Sequence, residues 1–173
     1  MSAPADNTAR NIVRFPRALH PVDSPARAGS LADEVESAAA RYYEAGFHCG
    51  ESVLRAINDV APSPLPVESL RLASGFCEGF GGSRCVCGAL AGAVMGVGLL
   101  AGREHNTDAW EPTYYASGEL NARWVAHEEA SSCEQVAERY GGMRHPQRWA
   151  HCTELCGSCA RWVVEIAEEN GWL

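Results

Sequence analysis

Most of the chemistry available to this sequence lies in eight cysteines: Cys49, Cys77, Cys85, Cys87, Cys133, Cys152, Cys156 and Cys159. Three of them form a C-x3-C-x2-C run from Cys152 to Cys159, dense enough for several sulfurs to meet one iron cluster. Others fall where a helix is predicted to begin. Cys49 lies in the first turn of one helix, Cys87 in that of a second, and Cys159 in that of the last. A helix N-terminus stabilises a thiolate and lowers the cysteine pKa, which metal ligation and redox attack both require. Cysteine is also a small, readily buried hydrophobe. Three of them at helix starts exceed what packing alone predicts. In a reducing cytoplasm, thiols in this number imply metal, redox chemistry or burial rather than structural disulfides.

The elements that must position these thiols read as helices almost throughout. Ser30 and Asp33 make an S-x-x-D start, with Leu31, Val35, Ala38 and Tyr42 at helical spacing up to Gly46. A second helix begins near His48 and carries Cys49, Val53, Ile57 and Val60 on one stripe. Pro62, Pro64 and Pro66 break the chain, and a short helix over about 67–74 leads into a glycine-rich stretch, Gly75 to Gly82. From Cys85 to Gly102 the sequence is apolar on every side, with Gly88, Gly92 and Gly96 in one row. Such a row serves either a transmembrane pair or close packing in a bundle. Its mild hydrophobicity predicts a buried central helix rather than a membrane span. A long helical pattern then runs from Tyr114 to Tyr140 and stops at Gly141-Gly142. A short segment over 146–155 precedes a last helix from Ser158 to Asn170. No alternating strand pattern appears. The expected fold is all-α: five or six helices packed around the glycine-rich central one.

Charge and composition close off other chemistries. The chain has 173 residues and a formal charge of −8. All its basic residues are arginine, so a Schiff-base enzyme or a P-loop lysine is excluded. An acidic chain lacks the basic surplus that nucleic-acid binding needs. Residues 1–30 differ from the rest, with four arginines against two acids, four prolines and no apolar periodicity. They predict a flexible N-terminal arm ahead of a helical domain over 31–173. The arm lacks the apolar core of a secretory signal, so the expected location is cytoplasmic.

The remaining positions are weaker. His48 and His151 each directly precede a cysteine and are candidate ligands or donors to sulfur, a cap or surface position being the plainer reading. Cys77 and Cys85 flank the glycine loop, whose N–H groups could bond sulfide, although an ordinary turn is the plainer expectation. Cys133 falls mid-helix and reads as a packing residue. Cys156-Gly157-Ser158-Cys159 has the form of a dithiol redox motif, but no strand precedes it.

The ordered set of cysteines resembles a known family of redox-active proteins named for the arrangement C, CGAxxG, C, C. Gly46 to Leu54, containing Cys49, is similar to its first motif. Cys87-Gly88-Ala89-Leu90-Ala91-Gly92 matches the CGAxxG element letter for letter. Arg139-Tyr140-Gly141 with Cys152 to Leu155 resembles the third, and Cys159 before Trp162 the fourth. The resemblance covers roughly residues 37–170. It implies a small helical redox protein in which Cys49, Cys87, Cys152 and Cys159 hold a prosthetic group, an iron–sulfur cluster first of all. Cys156 is the main rival ligand. The protein would then be an oxidoreductase or electron-transfer component with a redox partner protein, and glycine-row packing would allow a homodimer. Two alternatives stay open. One is a thiol–disulfide or peroxide-reducing protein using a cysteine pair. The other is a zinc-binding or purely packed helical interaction module.

Overall fold

Helix α1, Leu31–Glu44, starts at the expected capping box. The Ser30 hydroxyl accepts from the Asp33 N–H at 3.2 Å, and the Asp33 carboxylate accepts from the Ser30 N–H at 2.9 Å. Its buried stripe is Ala32, Val35, Ala39 and Tyr43, while Leu31, Ala38 and Tyr42 are only partly covered. This computed structural model describes residues 29–173, so the arm expected over 1–30 lies outside the described residues apart from Gly29 and Ser30.

Helix α2, Cys49–Asn58, buries Val53, Leu54, Ala56 and Ile57. The prolines that follow produce a turn pinned by Asn58, whose side chain accepts from the Leu65 N–H at 2.7 Å and donates to the Leu65 carbonyl at 3.2 Å. A 3-10 segment, Ser69–Phe76, leads to the one-turn segment α3, Cys77–Phe80. Helix α4, Gly88–Ala101, is the apolar central element. Its glycine row is used within the chain, against α2. A Cβ at Gly88 would overlap the Cys49 sulfur, one at Gly92 the Gly50 backbone, and one at Gly96 the Ile57 side chain. Val94 and Gly98 face outward. Among the described residues there is no strand, and no helix is long and apolar enough to cross a membrane.

Two helix boundaries differ from expectation. The pattern read as continuous from Tyr114 to Tyr140 is two helices, α5, Glu111–Glu128, and α6, Cys133–Arg139. Glu129 turns left-handed at φ 46°, and Ser132 caps the new helix by accepting from the Gln135 N–H at 3.2 Å. The Arg139 guanidinium bonds the carbonyls of Glu128 and Glu129, satisfying the exposed end of α5. Conversely, the two segments expected over 146–155 and 158–170 are one helix, α7, Pro146–Glu169. The last helix is expected to begin only at Ser158. In the fold Gly157 lets α1 approach, since a Cβ there would stand 3.0 Å from the Glu36 side chain and carbonyl. Among the described residues, six regular helices, the 3-10 segment and the one-turn α3 make the all-α architecture expected, with α7 packed along α1 and against α2, α4 and α5.

Candidate sulfur site

The continuity of α7 decides the geometry. Cys152, Cys156 and Cys159 follow one another at i, i+4 and i+7 on one helix, so the three thiols share a stripe. Arg148, four residues before Cys152, heads that stripe. Cys156 and Cys159 are both 0% exposed, and the Cys156 thiol lies 3.9 Å from the Cys49 carbonyl. Cys49 is the first residue of α2, whereas Cys87 is the N-cap of α4. Both α2 and α4 pack against α7, and Gly88 brings the α4 backbone against the Cys49 sulfur.

Cys49 is central to the group. The electrostatic surroundings of Cys77, Cys87, Cys133, Cys152, Cys156 and Cys159 all include it. Burial pushes the Cys49 thiol up, opposed by the N–H groups of Glu78 and Gly50 that face its sulfur and by the nearby Arg148 cation. Burial likewise raises Cys87, against the N–H groups of Leu90 and Ala89. Cys133 is pushed up to about 11 and Cys152 to about 12, in both cases mainly by burial. Cys156 and Cys159 rise well above the ordinary thiol value for the same reason. The expectation that helix N-termini would lower these pKa values is therefore corrected: loss of water outweighs the helix ends. Cys159, moreover, is not at a helix start but well inside α7.

Other readings are corrected by position. Cys133 is not mid-helix; it is the first residue of α6, half-buried, with its N–H donated to the Cys85 carbonyl at 2.7 Å. His48 is the exposed N-cap of α2, its N–H accepted by the Glu51 carboxylate at 3.1 Å, which fits the plain cap reading. His151 turns away to a carboxylate, Glu128, at 2.9 Å and stacks on Tyr140 with ring centroids 3.9 Å apart. Glu128 is 1% exposed and also accepts from His127 at 2.8 Å. Burial raises its carboxyl, but the hydrogen bonds from His151 and His127 outweigh this, and its pKa falls.

The glycine loop is no ordinary turn. Glu78, Gly79, Phe80, Gly81, Gly82 and Arg84 all have positive φ, between 47° and 81°. A Cβ at Gly79 would stand 2.6 Å from the Cys85 nitrogen, so the loop folds back tightly on itself. Glu78 and Phe80 hold this conformation without a glycine's freedom, at a cost on the order of 1–3 kcal/mol each. The Glu78 carboxylate receives the Arg148 guanidinium at 3.2 Å, and Arg148 is 5% exposed. Sequence reasoning missed both residues. Reading 146–169 as one helix would have placed Arg148 in register with the cysteines.

Cys49, Cys87, Cys152, Cys156 and Cys159 bring thiols from three helices into one another's electrostatic surroundings, with N–H groups facing the sulfurs of Cys49 and Cys87. Among the described residues, no three His, Cys, Asp or Glu side chains are grouped as a single metal ion would need. Cys85 is exposed at the edge of the loop.

No curated protein and no solved structure gives a match. A family profile described as "Putative redox-active protein (C_GCAxxG_C_C)" matches residues 47–166, which include all eight cysteines; its motif reads GCAxxG, so the expected letter-for-letter match is corrected, Cys87-Gly88 standing in the reverse order of the motif's first two letters. On that match over well more than half its length, the chain belongs to the C_GCAxxG_C_C family of redox-active proteins.

Proposed function

We propose that the chain holds an iron–sulfur cluster between α2, α4 and α7 and uses it for electron transfer or redox sensing with a partner protein. The observation that carries this reading is the single stripe of α7 bearing the partly covered Cys152 and the buried Cys156 and Cys159, on the helix that packs against α2 and α4, which open with Cys49 and Cys87. Cys49, Cys87, Cys152 and Cys159 would hold the group, with Cys156 as the alternative to either of its neighbours. When bound, such a group takes up and gives back single electrons. The chain's own part is to exclude water and to aim N–H groups at the sulfurs, offsetting charge once the thiol protons have been displaced.

Burial also weighs against the thiol–disulfide alternative. Attack on a disulfide needs a thiolate, and burial favours the protonated form of the thiols around Cys49. A metal displaces those protons instead.

Anaerobic reconstitution with ferrous iron and sulfide, followed by iron and sulfide analysis of single Cys-to-Ser variants, tests the reading. The expected result is iron with inorganic sulfide in the wild type, lost in Cys49→Ser and Cys87→Ser and kept in Cys85→Ser. Zinc at one per chain without sulfide would replace the cluster by a zinc site. A protein without metal that reversibly loses a thiol pair on mild oxidation would replace it by thiol exchange.

A further inference from the structure

We propose that Glu78 and Arg148 are positioning residues of the sulfur site, clamping the glycine loop over it and setting its charge. The proposal rests on the reading of the thiols as holders of a redox group. Arg148 is buried at the head of the cysteine stripe of α7, and it ion-pairs across to Glu78 at 3.2 Å. It lies close enough to Cys152 and Cys133 for their charges to bear on it. Glu78 is tied to the site twice: its carboxylate meets Arg148, and its N–H faces the Cys49 sulfur. A glycine would adopt φ 47° more easily than a glutamate, so the carboxylate is what the position gains by carrying Glu78. The pair thus joins the loop before α4 to the start of α7. The guanidinium brings a fixed positive charge into a site whose occupants are negative thiolates. A buried cation favours the more reduced, more negative state of a bound group, and a carboxylate beside it opposes that effect.

The two residues therefore act alike on loop order and oppositely on potential, and this separates their role from a merely structural one. The reconstituted protein is titrated with dithionite in the presence of mediator dyes. Arg148→Met is expected to lower the midpoint potential, changing the reduced-to-oxidised ratio at fixed potential about tenfold, roughly 59 mV for one electron. Arg148→Lys restores part of the shift, and Glu78→Gln moves the potential upward. In the metal-free protein, Arg148→Met and Glu78→Gln both speed amide hydrogen exchange over residues 77–86. Unchanged potentials in loaded variants, or shifts of the same sign, overturn the charge role. Unchanged exchange in the metal-free variants overturns the clamp. Should Arg148→Met fail to fold, Glu78→Gln, at a side chain 47% exposed, carries both measurements. Failure of the wild type to take up iron defeats the cluster reading instead, and the exchange result still judges the clamp.

Discussion

The two halves of α7 use the same buried face for different ends. From Arg148 to Cys159 the face holds a guanidinium and three thiols. From Ala160 to Ala167 it is aliphatic, with Val163, Val164 and Ile166 each no more than 1% exposed. Beside the aliphatic half, Arg161 pairs with Asp33 and with Glu36, and Arg123 meets Glu165 at 2.8 Å. The second half is built as a helix that needs only to be stable. In the first half a buried cation must be desolvated and held by Glu78, where a hydrocarbon would pack at no such cost. Stability and chemistry are thereby divided along one helix.

The largest expected effect breaks the first half without breaking the second. Cys49→Ser removes all bound iron and sulfide on reconstitution, while far-UV circular dichroism of the metal-free protein stays helical. Ile166→Ala, at a fully buried side chain, costs about 2–5 kcal/mol in denaturant unfolding of the metal-free protein. Cys156→Ala, at equal burial, costs less because fewer atoms are removed. Parity between the two would erase the distinction. Next come two glycines of α4. Gly88→Ala pushes a methyl into the Cys49 sulfur and loses about 1–3 kcal/mol, whereas Gly98→Ala, facing open space, gains about 0.5–1 kcal/mol.

Stability against pH offers a finer test. The thiols of Cys133 and Cys152 stay protonated in the fold up to about 11 and about 12, against an ordinary 9.0 when unfolded. The folded state then binds more protons between these values, so metal-free stability is fully present below pH 9 and falls as pH rises through about 12. Tyr42, raised from 10.0 to about 12 chiefly by burial and by its bond to Asp59, acts in the same direction. On the proposed cluster reading, the loaded protein would have the opposite slope, losing its metal as pH falls, because thiolate ligands would compete with protons. Unfolding midpoints of both forms across pH 6–11 (roughly the working range of thiol titration) check the two signs. Smallest is Asp33→Asn in the second-half network. The Arg161 guanidinium holds the Asp33 carboxyl at about 2, so its contribution is present above 3.8 and lost as pH falls to about 2. The variant's slight loss of thermal stability should disappear below that pH.

The helical class, the capping box at Ser30 and the starts of α2 and α4 were legible because caps and apolar periodicity are local. The boundary between α5 and α6 was legible too, in Ser132 and Gln135, but the apolar pattern ran over it. The continuity of α7 through Gly157 was not legible, because what requires a glycine there lies across the fold at Glu36, outside any sequence window. For the site, residue types and order pointed to the thiols. Their convergence did not follow from spacing, since Cys49 and Cys156 are brought together by packing between α2 and α7. The direction of the thiol pKa shifts was unreadable for the same reason: it depends on burial, which helix position alone does not set.

The contact of Gly88 with Cys49 also bears on the order in which the site is made. The α2–α4 pair is complete once residue 101 has been synthesised, and it already carries Cys49 and Cys87. The stripe of α7 is translated last among the described helices. Folding during synthesis proceeds from the N-terminus. Both thiols are therefore synthesised before the helix that packs against α2 and α4. On the proposed cluster reading, a prosthetic group would have the interval between these two events in which to enter, and docking of α7 would end it.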